Sequence, residues 1–137
     1  MLEAWQKAWR EGFVPFLSLP GLKALKQALQ TDDNRLIQGV TPQPAPLQEF
    51  ESRPVEGACP VGYCGWQGEG LASVGEVEEY FVDLCVRAEQ ALGDPTGGRY
   101  FLNWVDDTPR PEMRRLLLEE VNRALKEGES ATGPVAA

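Results

Sequence analysis

From Ser73 to Gly93 the chain has few options other than a helix with one dry side and one wet side. Ser73 followed three residues later by Glu76 is a capping box, so the helix is predicted to begin at about Val74. Val77, Tyr80, Phe81, Leu84, Cys85, Ala88 and Leu92 then fall within an arc of roughly 140° on a helical wheel. Glu76, Glu78, Glu79, Asp83 and Glu89 take the other side, with Val82 the one apolar exception among them. Gly93-Asp94-Pro95 stops the helix. An amphipathic helix cannot hold its own shape in water, so the rest of the chain must supply its cover.

That cover is predicted to be helical. Residues 2–12 place Leu2, Trp5 and Trp9 on one stripe, with Gly12 as a stop. The two tryptophans are expected to pack on the core, because the polar face lacks the basic excess of a membrane-surface helix. A second helix follows Pro20, capped by Ser18, with Leu22, Leu25, Ala28 and Leu29 inward. Residues 32–38 are expected to make a brief helical turn, with Leu36 and Ile37 inward and Asp32 and Asp33 as cap and dipole partners. Residues 99–105 read as strand or helix, and the lack of a strand partner favours helix. A final helix is predicted after Thr108-Pro109, with Met113, Leu116, Leu117, Val121, Ala124 and Leu125 buried.

Residues 40–72 interrupt this pattern. Thr41-Pro42-Gln43-Pro44-Ala45-Pro46 is a polyproline-like strip, and its alternating prolines do not make a PxxP ligand. Six of the fourteen glycines lie between Gly57 and Gly75, so the backbone there must turn tightly or approach something closely. The expectation is an irregular segment that wraps the helices and holds at most a short hairpin. The fold class is therefore mainly α, a compact bundle of four to five helices. Residues 1–127 are expected to form one domain and 128–137 a flexible tail.

Composition narrows function mostly by exclusion. There is no histidine, which removes Ser-His-Asp and Cys-His catalysis and histidine-ligated metal. Three cysteines cannot complete a standard four-ligand zinc site alone, so no metal, no cofactor and no catalytic residue is assigned. The glycine-rich stretch lacks GxxxxGK[ST], and Glu69, Glu76, Glu78 and Glu79 would repel a phosphate at the helix start. No apolar run reaches membrane-spanning length and residues 1–12 lack a signal-peptide core, so the expected location is cytoplasmic, with reduced cysteines.

Net charge is −8, and residues 51–98 hold most of it, with two basic against nine acidic side chains. Direct nucleic-acid binding is disfavoured, whereas a protein partner with a basic surface fits. The bland alternative is that the acids only maintain solubility.

The reading is a non-catalytic interaction module, an acidic adaptor or small subunit of an assembly. Its predicted partner-binding residues are Tyr63, Trp66, Glu76, Glu78, Glu79 and Asp83. The first alternative is a thiol-based redox or metal-sensing protein using Cys59 and Cys64, which are five positions apart in sequence. The second is an acidic inhibitor that mimics nucleic acid and occupies a basic groove.

Overall fold

A computed structural model describes residues 2–38 and 52–132, so the proline strip at 41–46 lies outside the described residues. Among the described residues there are six α-helices and no strand. They are α1 (Ala4–Lys7), α2 (Leu19–Thr31), α3 (Pro60–Tyr63), α4 (Val74–Leu92), α5 (Gly97–Asp107) and α6 (Arg110–Thr132). Two of these helices continue without a break into π-helical turns, α1 through Ala8–Phe13 and α3 through Cys64–Gly68.

The longer predicted helices exist, and the Ser18, Ser73 and Gly93 caps follow the expected chemistry, whereas Gly12 does not end the first helix but lies inside its π-helical turn. Ser18 accepts from the Gly21 amide, satisfying one of the donors that a helix start leaves open. Ser73 and Glu76 form the reciprocal capping box, and Gly93 closes α4 at φ +67°, a backbone conformation that suits glycine. Residues 99–105 are helical, inside α5. The last helix begins at Arg110 and runs past Gly128 to Thr132. The remainder of the expected tail lies outside the described residues.

Two expectations are corrected. Residues 32–38 do not form a helical turn. Asp32 takes the left-handed conformation (φ 51°) that terminates α2, and Asp33 then folds back to accept from the Arg35 amide. Residues 60–68 are a buried helix, not an open glycine loop. Pro60 opens it at the first position, where a missing amide costs nothing. Its glycines, three apart, are where other chain segments press closest. A Cβ on Gly62 would lie 3.3 Å from Val77, one on Gly65 would lie 2.6 Å from the Tyr80 ring, and one on Gly68 would lie 2.2 Å from the Gly21 Cα.

No hairpin forms among the described residues. Two isolated bridges tie the segment down instead, Leu36 with Ala58 in parallel and Pro54 with Ser73 antiparallel.

The core lies where the π-helical turns meet the long helices. Ala8–Phe13 packs on α4 and α5, α2 packs on α6 and on Cys64–Gly68, and α3 rests on α4. Trp5 stacks on Trp104 at 3.6 Å between ring centroids, and Trp9 stacks on Phe101 at 5.1 Å, so both tryptophans do pack inward. Leu2, expected on the same stripe, is exposed.

Among the described residues the interior also holds one charged side chain. Glu120 is 5% exposed and receives two hydrogen bonds from the Arg10 guanidinium, at 2.7 and 2.8 Å. This bidentate pair fastens the N-terminal helix to α6. At the other end of α6, Arg110 binds Asp32 and donates to the carbonyls of Asp33 and Leu36, while Arg114 donates to Leu29. Arg114 thereby caps the carbonyl end of α2, and Arg110 holds the turn that follows it.

Candidate partner-binding face

The inner side of α4 is spent on packing. Val77, Leu84 and Ala88 are buried, and Tyr80, Phe81, Cys85 and Leu92 lean on the core. What remains for function is the outer side, and its residues are not equivalent.

Glu76 belongs to the cap. Its carboxylate accepts from the Ser73 hydroxyl and amide, and these bonds hold its pKa below the ordinary value. Asp83 pairs with Arg87 one turn on, at 2.9 Å, with both side chains more than half exposed. Such a pair contributes little to stability. Glu78 and Glu79 are exposed, and neither has an ion-pair partner among the described residues. Between the acids stand Val82, 52% exposed, and Val86, 45% exposed, one turn apart. At 100° per residue, Glu78 and Glu89 flank this valine strip on one side and Glu79 and Asp83 on the other. The side chain of Arg87 lies over Phe16, itself 37% exposed, with the guanidinium carbon 5.8 Å from the ring centroid.

Next to Glu78 the surface opens into a cleft of about 250 Å3. Val55, Gly57, Ala58, Cys59, Gly62, Val74, Val77, Glu78 and Phe81 line it. The lining exists because α3 approaches α4 through Gly62, leaving side chains only on the flanks of the contact. Apart from the Cys59 thiol and the Glu78 carboxylate, its side chains are apolar.

The other predicted site residues lie elsewhere or point inward. Tyr63 is 4% exposed and its hydroxyl donates to Asp33 Oδ2 at 3.0 Å, so it is held by the core and offers no surface to a partner. Trp66 is half-buried, edge-on to Tyr63, and the Arg35 guanidinium lies 5.3 Å from its ring centroid. It therefore belongs to a cluster with Arg35, Tyr63 and Asp33. The Asp33 carboxyl is held well below the usual carboxylate range, first by the side-chain hydrogen bond from Arg35 and also by the Arg35 amide.

All three cysteines are free. Cys64 is buried against Gly21 of α2, whereas Cys59 lines the cleft beside α4, so the two face different neighbours. Burial pushes every thiol up, Cys85 to about 11. That is the opposite of what a reactive thiolate needs. Among the described residues no three acidic, cysteine or histidine side chains converge to hold a metal ion, and no helix is long and apolar enough to cross a membrane.

Sequence reasoning marked Val82 as an exception but passed over Val86, Phe16 and the cleft. Val86 was legible as the residue one turn beyond Val82. The cleft was not, since it depends on where α3 docks. The chain matches no protein-family model, no curated protein and no solved structure.

Proposed function

We propose that this protein is a non-catalytic adaptor that binds a basic protein surface through the outer face of α4. One observation carries the reading: an exposed Val82–Val86 strip is flanked on both sides by acids, of which Glu78 and Glu79 are uncommitted. Interfaces commonly place apolar contact at the centre and charge at the rim, where charge steers the approach and selects the partner. An acidic face that served only to hold the protein in water would gain nothing from two exposed valines at its centre. The thiol alternative lacks a comparable support, because Cys64 is buried, Cys59 is partly buried and faces other neighbours, and desolvation raises both thiols.

The test is affinity purification from the native host at low and high salt, followed by binding measurements with the purified partner. The E78K/E79K variant is expected to lose that partner, and C64A, away from the cleft, to keep it. Wild-type affinity in the charge-reversed variant would sink the reading, as would loss of binding in the cysteine variant with its fold intact by circular dichroism.

A further inference from the structure

Resting on that reading, we infer that the cleft between α3 and α4 receives one apolar side chain of the partner, carried on a basic helix. Size supports this. The cleft measures about 250 Å3, and a cavity of about 150 Å3 is enough to hold benzene. A leucine or phenylalanine side chain therefore fits, and a whole helix does not.

Its chemistry supports it as well. Val55, Ala58, Val74, Val77 and Phe81 give walls that favour an alkyl or aryl group over water. The rim carries Glu78, and the next two turns of the same helix carry Val82 and Val86 in succession. A ligand anchored in the cleft and lying along this face meets a carboxylate first and an apolar ridge next. That order suits a helix with an apolar residue in the cleft, lysine or arginine near Glu78 and Glu79, and further apolar residues over the valines. A buried anchor with charges around its mouth is also the arrangement in which a single side chain dominates affinity.

The probe is a synthetic amphipathic helical peptide with leucines at i, i+4 and i+7 and lysines on both flanks. It is titrated into the full chain at physiological salt, with fluorescence anisotropy and amide NMR shifts as readouts. Single leucine-to-alanine peptides, and one with glutamate for lysine, complete the set. One leucine is expected to dominate, its alanine peptide binding about thirtyfold more weakly. Shifts are expected at Val55, Ala58 and Val77. V74W, which narrows the mouth, should weaken the leucine peptide and leave the alanine peptide unchanged.

Because the peptide series leaves the protein untouched, the inference stays testable even if V74W fails to fold. Equal binding by all leucine variants would overturn the cleft as an anchor site. If E78K/E79K still abolished that binding, the acidic-face reading would survive on its own. Binding insensitive to E78K/E79K would instead remove the acidic-face reading. Cleft shifts that follow protein concentration, with no peptide present, would make a second copy of this chain the occupant and overturn the proposal.

Discussion

The two sides of α4 have been built by opposite means. On the inner side, neighbouring segments come close by removing side chains. Gly12 of the first π-helical turn lies under Ala88 and Leu92, Gly62 under Val77, and Gly65 under Tyr80. On the outer side nothing has been removed, and branched apolar residues stand beside acids in open water. The acids differ in the same way. Buried Glu120 has its bidentate Arg10, half-buried Asp33 has Arg35 and Tyr63, while Glu78 and Glu79 are left without an ion-pair partner among the described residues. Where the fold needs a charge, it supplies the counter-charge. Unmatched acids around exposed valines are therefore informative, because folding does not account for them.

The sharpest way to break the inner side is to restore a missing Cβ. Gly68→Ala would place a methyl 2.2 Å from Gly21 Cα and 2.6 Å from its amide nitrogen, both backbone atoms that cannot swing away. Overpacking of this kind is expected to cost about 3 kcal/mol, read from chemical denaturation. A loss below 1 kcal/mol would mean that the π-helical turn re-registers easily, and that the close approach is not a constraint.

Glu120→Ala should follow closely. It leaves the Arg10 guanidinium without its two charge-assisted bonds, at a site where Arg10 keeps 24% of its side chain exposed. Removing one partner of a buried pair costs more than the pair itself contributes, and partial hydration of Arg10 moderates that to about 2–3 kcal/mol. The same substitution at Glu79, in open water, should change stability by less than about 0.5 kcal/mol.

Asp33→Asn comes next, at about 1 kcal/mol for charge-assisted bonds at a half-buried carboxylate, and its effect has a defined pH dependence. Arg35 holds the folded carboxyl below its unfolded value. The stabilisation is therefore fully present above the unfolded pKa, about 4, and is lost as pH falls through the folded value. The gap between wild type and variant should stay constant from neutral pH down to about 5 and shrink below 4. A gap that widened on acidification would reverse the assignment.

Residues whose environment is set within one turn were legible in the sequence. The capping box, the Ser18 cap, the Gly93 stop and the inward faces of α4 and α6 follow from spacing alone. Residues 57–75 were harder, because glycine reads first as a turn former. Its other use, making room for a neighbour, depends on segments such as Gly21 and Tyr80 that lie far off in sequence. The Pro60 start and the three-residue spacing of Gly62, Gly65 and Gly68 were the local signs of a helix there. Tyr63 was misplaced for the same reason, since an aromatic in a supposed loop looks exposed until α3 is seen packed. The cleft, and the Arg10–Glu120 bond across 110 residues, had no local sign at all.

A change of opposite sign separates the two sides of α4 most cleanly. Val82 and Val86 are exposed on a helix, where branching at Cβ restricts χ1 and lowers helix propensity relative to alanine. If they have no partner, the V82A/V86A variant loses little burial and gains helix propensity. Stability should then rise by about 0.5–1 kcal/mol for the pair. The same variant should weaken partner binding if the strip is the centre of an interface. Alanine at inward-facing Val77 should instead lower stability by about 1–2 kcal/mol. A gain in stability with a loss of binding identifies residues that serve recognition and not the fold. A loss of stability in V82A/V86A would place the strip among the core's own contacts and remove the valines from the proposed site.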